Sequence, residues 1–472
     1  MDLATAPLRA IAEALETGRL TTADLAEAAI AARASSRLEA YLSWAPDLAR
    51  EMARAADDAF SRGDRHGLLQ GIPVSIKDLF GVTGLPTYGG SPKRLPAKFE
   101  QDGPIIASLR SQIALFMGKT LTSELGFGVC GHNIHWGTPR SPWDPHVPRP
   151  AGGSSTGAAI SVIEGSAMLG LGSDTGGSAR EPANMTGIVG VKLTHGRWSG
   201  AGLVPPGPHL HGPGLLARTA QDAAFAFAAL DPHLEASRFA ARSADAELAA
   251  FRIGVLDDFF WNDCDPGIAE AAGTALDELR EAGAQLEACS LPEVAALRDI
   301  SPDWDWGISG VEFSEFLQSE LPEWVETLHP GARAQLRLSE DMSAITYLKR
   351  CRQLAQLRRS ADHTLAPFDV VVCPTSPMSS PAIDALLDPE TYKRINRMAV
   401  RNMSPANLLD LCALTMPVGL DATGMPVGLH LMARNGEDET LLIVACALER
   451  VLGTGRQRLG VPPLCVKQRP SP

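Results

Sequence analysis

The chain has no long hydrophobic run, and its basic residues are in the minority. No apolar stretch approaches the roughly 20 residues of a membrane-spanning helix, so we predict no membrane partner. The sequence has 42 Lys and Arg against 55 Asp and Glu, a formal net charge of −13 over 472 residues. Because phosphate binding relies on clustered basic residues, this balance disfavours a nucleic-acid partner. The N-terminus lacks a basic region followed by an apolar stretch, so we expect a cytoplasmic location.

Cysteine pairs and cofactor motifs are missing as well. The eight cysteines are scattered without a Cys-x-x-Cys pair, which is typical of reduced thiols rather than of a disulfide framework or a zinc site. His132, His135 and His146 are close in sequence, but their spacings of three and eleven fit no standard zinc motif. The phosphate-binding loop and the dinucleotide fingerprint do not occur. We therefore expect no metal and no organic cofactor.

Two glycine-rich segments that carry serines are the most informative feature present. Ser154 and Ser155 lie in Gly-Gly-Ser-Ser, and Ser178 ends Asp-Thr-Gly-Gly-Ser, 24 residues after Ser154. Consecutive glycines let successive backbone N–H groups point into one concavity, which suits an oxyanion hole. Serine is a weak nucleophile at neutral pH and needs a base to take its proton.

Lys77 is the candidate base. It ends a segment in which apolar Ile72, Val74 and Ile76 occupy every second position. A period of two predicts a strand, with Ser75 and Lys77 on one face. Apolar surroundings lower the pKa of a lysine, because burial penalises its charged form.

The segments around these residues resemble the amidase signature family. The resemblance extends over most of the chain and rests on three stretches: Pro150-Ala-Gly-Gly-Ser-Ser-Thr-Gly-Ala-Ala-Ile, Leu171-Gly-Ser-Asp-Thr-Gly-Gly-Ser-Ala-Arg-Glu-Pro and Gly187-Ile-Val-Gly-Val-Lys-Leu-Thr-His-Gly-Arg. It implies an α/β amidase-signature fold, a large mixed and twisted β-sheet covered on both sides by α-helices. It also implies that Ser178 is the nucleophile and that Lys77 acts as base through Ser154, whose preceding peptide bond is typically cis.

The resemblance implies the remaining site residues too. The backbone N–H groups of the loop that ends at the nucleophile would line the oxyanion hole. Substrate contacts would come from the stretch that follows Phe127 and from the second serine of the pair. The implied oxyanion-hole residues are Thr175, Gly176, Gly177 and Ser178, and the implied substrate-binding residues are Gly128, Val129, Cys130 and Ser155.

No linker, repeat or low-complexity tract divides the chain, so we predict a single domain over 1–472. Within it we distinguish a helical segment at 1–65, a catalytic core at about 66–230 and the remainder at 231–472. Helices and strands alternate throughout, which favours a layered α/β architecture. The clearest predicted elements are helices at 220–230, 266–282 and 437–452, and a buried strand at 368–373.

The predicted function is hydrolysis of the C–N bond of a small-molecule carboxamide, anilide or carbamate through a Ser178 acyl-enzyme, with esterase or urethanase side activity. The enzyme would be a monomer or a homodimer. A first alternative is an amidotransferase-type glutaminase subunit that needs a partner. It stays open because the chain reads His209-Leu-His211-Gly-Pro where relatives commonly carry an aspartate before Gly-Pro.

A second alternative is an esterase of the α/β-hydrolase type. The segment Gly153-Ser-Ser155-Thr-Gly157 fits the motif Gly-x-Ser-x-Gly, with Ser155 as nucleophile. Such a triad needs a downstream acid and then a histidine, for which His363 or His430 can be nominated.

An aromatic stretch in the second half of the chain has two interpretations. It could form a helical flap that presents aromatic surface to the substrate, or it could pack in the core, which we expect for most of its members. The stretch contains Trp304, Trp306, Phe313, Phe316 and Trp324.

Overall fold

The centre of the fold is a mixed sheet of 11 strands. A computed structural model describes residues 3, 5–205, 207, 209–301 and 307–466. The strands in chain order are β1 (Tyr41–Trp44), β2 (Pro73–Lys77), β3 (Leu115–Thr120), β4 (Leu169–Asp174), β5 (Val189–Lys192), β6 (Gly212–Ala217), β7 (Arg252–Leu256), β8 (Gln285–Cys289), β9 (Val370–Pro374), β10 (Cys412–Leu420) and β11 (Pro426–Ala433).

Helices flank this sheet, so the predicted fold class is confirmed. None of the helices within the described ranges is long and apolar enough to cross a membrane. The α-helices of these ranges are α1 (Leu8–Glu16), α2 (Thr22–Ser35), α3 (Pro46–Arg62), α4 (Pro104–Ser111), α5 (Thr156–Glu164), α6 (Arg180–Thr186), α7 (Ala220–Leu230), α8 (Ala236–Asp245), α9 (Ile268–Glu281), α10 (Glu293–Ile300), α11 (Ser309–Glu320), α12 (Pro330–Glu340), α13 (Ala344–Leu365), α14 (Pro389–Val400), α15 (Ser404–Leu408), α16 (Asp438–Leu452) and α17 (Gly455–Leu459).

The strand order is β1-β3-β2-β4-β6-β5-β10-β11-β9-β7-β8, so strands from both halves of the chain belong to one sheet. Strand β2 pairs in parallel with β3 and with β4. Parallel neighbours end at the same edge of a sheet, which places Lys77 at the end of β2 near Asp174 at the end of β4. Strand β6 is antiparallel to β4, and its register pairs Gly212 with Asp174. The segment before β6 therefore reaches the same edge.

The predicted elements largely match the structure. The helix predicted at 220–230 is α7, that at 266–282 is α9, and that at 437–452 is α16. The first 65 residues are not wholly helical, however, because the short strand β1 lies between α2 and α3. It is an edge strand of four residues paired only with β3, and such a short segment carries too few positions to display a period of two.

Candidate active site

Lys77 is fully buried at the end of β2. Its amine donates to Ser154 Oγ at 2.7 Å and to Ser173 Oγ at 2.9 Å. Burial lowers the pKa of Lys77 to about 7, against the opposing effect of the Asp174 carboxylate. A large fraction of the amine is therefore neutral near neutral pH, the state in which it can accept a proton.

Ser154 lies in the loop that leads into α5, and only 1% of its surface is exposed. The Gly153–Ser154 peptide bond is cis, as the resemblance implied. A Cβ atom at Gly126 would lie 3.7 Å from Ser154 Oγ. The hydroxyl therefore sits directly behind a residue that lines the substrate pocket.

Ser178 closes the loop between β4 and α6, and Asp174 holds that loop in shape. The Asp174 carboxylate accepts from Gly177 N at 2.9 Å and from Ala179 N at 3.1 Å. Gly177 has a φ of 129°, a conformation that favours glycine. Ser155 N donates to the Ser178 carbonyl at 3.0 Å, so the two serine-bearing segments are bonded to each other.

Arg180 anchors Asp174 from the start of α6. Both side chains are fully buried, and Arg180 Nη2 lies 2.9 Å from Asp174 Oδ1. Other Arg180 N–H groups donate to the Met403 carbonyl at 3.0 Å and to Asn407 Oδ1 at 2.6 Å. Burial raises the pKa of Asp174, but the Arg180 charge and the hydrogen bonds outweigh this effect. Together they hold the pKa of Asp174 well below its usual range. The loop that carries Ser178 thus rests on an ionised, fully bonded carboxylate.

Three of the four predicted oxyanion donors are available. Among the described residues, the N–H groups of Thr175, Gly176 and Ser178 have no acceptor. The N–H of Gly177 is the exception, because it donates to Asp174. We therefore assign Gly177 a part in shaping the loop and leave the other three as candidate oxyanion donors.

A pocket opens in front of Ser178. Its cavity volume is about 60 Å³. Its polar lining residues are Thr175, Ser178, His211, Ser309, Glu312 and Asn396, and the rest of its lining is Leu125, Gly126, Phe127, Gly128, Val129, Pro205, Gly207, Leu210, Phe313 and Val400.

The predicted substrate-binding stretch forms one wall of this pocket. Val129 N and Cys130 N donate to Asn396 Oδ1 at 2.7 and 3.2 Å, which fixes the stretch against α14. Gly128 has a φ of 101°, and a Cβ there would lie 2.2 Å from the Tyr392 hydroxyl. The close packing of α14 against this wall therefore requires glycine.

Two predicted substrate-binding residues do not line the pocket. Cys130 lies behind the wall and borders a separate cavity of about 10 Å³ with Glu181. Ser155 is fully buried, and its hydroxyl donates to the Ser173 carbonyl at 3.1 Å while accepting from Ser173 N at 3.2 Å. Both bonds hold the backbone, so Ser155 supports the site and does not face the substrate.

The histidines nominated for a Ser155 triad lie elsewhere. His430 Nε2 contacts Arg180 Nη1 at 2.8 Å, and His363 is exposed near the end of α13. In the described ranges no histidine is hydrogen-bonded to Ser155. This arrangement does not favour the α/β-hydrolase alternative.

His211 is a pocket residue to which sequence reasoning assigned no role. Its Nδ1 donates to the Pro205 carbonyl at 2.8 Å, so Nε2 is an acceptor when the ring is neutral. Burial, together with the nearby Lys77 charge, lowers the pKa of His211 to about 4. The pocket therefore contains a neutral imidazole close to the candidate nucleophile.

The aromatic stretch forms part of the pocket through one residue. Phe313 on α11 stacks on Phe127 with ring centroids 4.4 Å apart. Phe313, Phe316 and Trp324 are all buried members of one hydrophobic cluster. Core packing thus accounts for three of the five aromatic residues, and Phe313 also lines the pocket. Trp304 and Trp306 lie outside the described residues.

Comparison with known proteins identifies the family to which this fold and site belong. A profile of the Amidase family matches residues 24–442. The chain therefore belongs to the amidase signature family, which confirms the resemblance. As a member of this family, it is a hydrolase that acts on C–N bonds.

The chain is similar to individual known proteins over most of its length. The chain is 43% identical to 2-amino-5-chloromuconic acid deaminase of Comamonas testosteroni, over 92% of this chain and 93% of that protein. It is 30% identical to one of the subunits of the Glutamyl-tRNA(Gln) amidotransferase of Gloeobacter violaceus, over 89% of this chain and 91% of that protein. A solved amidase structure superposes with a TM-score of 0.82 at 28% identity and covers 95% of this chain and 100% of that one.

Proposed function

We propose that the protein hydrolyses the C–N bond of a small carboxamide, anilide or carbamate through a Ser178 acyl-enzyme. The observation that carries the proposal is the buried Lys77 amine, which is hydrogen-bonded to Ser154 beside a pocket lined by Ser178. Its lowered pKa makes the amine a usable base near neutrality.

In the proposed reaction the Ser178 proton passes through Ser154 to Lys77 while Ser178 Oγ attacks the substrate carbonyl. The N–H groups of Thr175, Gly176 and Ser178 stabilise the oxyanion, each by about 3 kcal/mol. Lys77 then returns the proton through Ser154 to the leaving nitrogen, and the C–N bond breaks. Water, activated by the same relay, hydrolyses the acyl-enzyme. In the described structure Ser178 Oγ makes no hydrogen bond to Ser154, and such catalytic contacts commonly tighten when substrate binds.

The relationship to the deaminase of Comamonas testosteroni favours a second candidate, hydrolytic release of ammonia from an amino-substituted unsaturated acid. The pocket supports it less well. No Lys or Arg is found among the described residues that line the pocket, so a carboxylate would have no ionic partner there. We therefore place an uncharged or cationic amide first.

Covalent labelling tests the proposal. A fluorophosphonate should add one adduct to the wild-type protein, located on Ser178 by peptide mass spectrometry, and none to Ser178→Ala. Ser155→Ala is the matched control and should still be labelled. Labelling of Ser155 in the Ser178→Ala protein would favour the esterase alternative instead.

The purified single chain should also release ammonia from simple amides. Activity that appears only after a second protein is added would support the amidotransferase-type alternative. Faster turnover of 2-amino-5-chloromuconic acid than of every amide tested would establish the second candidate.

A further inference from the structure

Glu312 lies in the pocket but outside the proposed proton relay. It is carried by α11, the helix that forms the pocket wall around Phe313. Its Oε1 accepts two hydrogen bonds, one from His209 Nδ1 and one from the Tyr347 hydroxyl at 3.0 Å. Only 9% of the Glu312 side chain is exposed. Two donors from separate segments therefore fix one oxygen of a largely buried carboxylate.

The charge of this carboxylate is compensated only at longer range, by the Arg358 guanidinium. In the part of the chain that the structure describes, no lysine or arginine lies within ion-pair distance of Glu312. Arg358, which is close by, donates instead to the carbonyls of Leu408 and His209. Burial and the Glu312 charge raise the pKa of the Tyr347 hydroxyl, so this donor is neutral. The His209 imidazole carries a charge only when it is protonated.

The surroundings of the pocket add no positive charge either. No Lys or Arg is found among its described lining residues. A largely buried carboxylate that makes no ion pair with lysine or arginine is costly in the empty pocket, and a cation that binds beside it lowers this cost.

The rest of the pocket suits an apolar body. The stacked rings of Phe127 and Phe313 form one side, and Val129, Leu210 and Val400 complete the apolar lining. A ligand that fits both features has a hydrocarbon chain or ring and a positively charged group.

We propose that Glu312 is a specificity residue that binds an ammonium group of the substrate, so that the preferred substrates are amides with an apolar body and an amino group remote from the scissile bond. The inference rests on the proposed function. Tyr347 and His209 act as positioning residues, because they hold the carboxylate from behind.

Three matched amides test the inference: δ-aminovaleramide, valeramide and the monoamide of glutaric acid. They share one chain length and end in an ammonium, a methyl and a carboxylate group. At about pH 8, the wild-type kcat/KM should be roughly ten- to a hundredfold higher for the ammonium compound than for the neutral one, as charged hydrogen bonds of this strength imply. The anionic compound should be the poorest of the three.

Glu312→Gln keeps the shape of the side chain and removes its charge. It should reduce the preference for δ-aminovaleramide over valeramide to less than about threefold, mainly through KM. Glu315→Gln is the matched control, because Glu315 lies on the same helix, is exposed and bonds only to Ser319 among the described residues. It should retain the wild-type preference.

Binding to the Ser178→Ala protein separates this inference from the proposed function. Calorimetry with Ser178→Ala should show the tightest binding for the ammonium compound and the weakest for the anionic one. The double variant Ser178→Ala/Glu312→Gln should not distinguish the ammonium compound from the neutral one in this way. Equal affinity for the ammonium and neutral compounds, or a preference for the anionic one, would overturn the role of Glu312 whether or not the wild type turns any amide over. Absence of Ser178-dependent turnover and labelling would instead contradict the proposed function.

Discussion

The two sides of the pocket are built in different ways. On the proposed catalytic side, Lys77, Ser154 and Ser178 lie at strand ends and in glycine-rich loops, and none of them is more than 3% exposed. On the opposite side, Glu312 and Phe313 lie on the helix α11, outside the sheet.

The two sides also differ in the groups that hold their carboxylates, Asp174 and Glu312. Asp174 is bonded by two backbone N–H groups and by the fully buried Arg180. Glu312 is held by side chains alone, and one of its partners, His209, is 40% exposed. A group fixed by backbone and buried charge keeps its geometry, which catalysis requires, whereas a group fixed by exposed side chains tolerates substitution. Changes on the catalytic side should therefore alter the rate, and changes on α11 should alter the choice of substrate.

The largest effect that this comparison predicts is that of Lys77→Ala. The kcat/KM for amides should fall by about a thousandfold or more, because both proton transfers lose their carrier. In the wild type, kcat/KM should rise with pH up to about 7 and then level off, since the neutral amine is the base. The variant should lack this limb in a pH–rate profile.

An activated ester provides the control for Lys77→Ala. Its leaving group departs without a proton, so its hydrolysis should fall less than that of an amide. Lys98→Ala, at an exposed surface position, should behave as the wild type. If Lys77→Ala kept the rise of kcat/KM with pH up to about 7, Lys77 would not be the base.

The next largest predicted effect is that of Arg180→Met, and it is an effect on the free energy of unfolding. It leaves Asp174 buried without its ion pair, which typically costs about 3–5 kcal/mol. The midpoint of urea unfolding should fall accordingly. Arg94→Met removes the ion pair of an exposed arginine and should lower the midpoint much less. Similar losses in both variants would mean that Asp174 does not depend on Arg180.

Local patterns explain why much of the catalytic side is predictable from sequence. Alternation around Ile76 identifies the strand of Lys77, and the glycine-rich segments identify the loops of Ser154 and Ser178. Their proximity follows from parallel pairing of β2 and β4. The family resemblance implied that the three residues act together, but neither it nor the spacing determines this pairing.

The opposite side of the pocket carries no comparable signal. Glu312 and Asn396 are single polar residues on amphipathic helices, where most such residues face solvent. Asn396 reaches the stretch at Val129 across 267 positions of sequence, and Glu312 meets His209 across 103. Only the packing of α11 and α14 reveals these contacts. The commitment of the Gly177 N–H to Asp174 was likewise hidden, because adjacent glycines permit several loop conformations.

Glu181→Gln, on α6 beside the cavity that Cys130 borders, should have a smaller, pH-dependent effect on the free energy of unfolding. Burial raises the pKa of Glu181 to about 8, although Ser376 and Asn184 oppose the shift. Between its ordinary pKa and about 8 the folded state holds a proton that the unfolded state has lost, so this group's stabilising contribution is lost as pH rises through that window. The variant should lack this loss and gain stability relative to the wild type from pH 5 to about pH 8.

Urea unfolding at several pH values measures the effect. Glu51→Gln, an exposed position on α3, is the control and should follow the wild type at every pH. A constant difference between Glu181→Gln and the wild type would show that Glu181 is ionised in the folded protein throughout.

The smallest predicted effect separates two neighbouring rings on α11. Phe313 lines the pocket and stacks on Phe127, whereas Phe316 contacts Phe99 in the cluster beneath. Phe313→Leu removes an aromatic contact of about 0.5–1.5 kcal/mol, so KM for an aryl anilide should rise roughly two- to tenfold while kcat changes little. Phe316→Leu should instead lower the unfolding midpoint and leave KM nearly unchanged. A large fall in kcat for Phe313→Leu would mean that α11 also positions the reacting groups, and the division between a catalytic side and a substrate-choosing side would then fail.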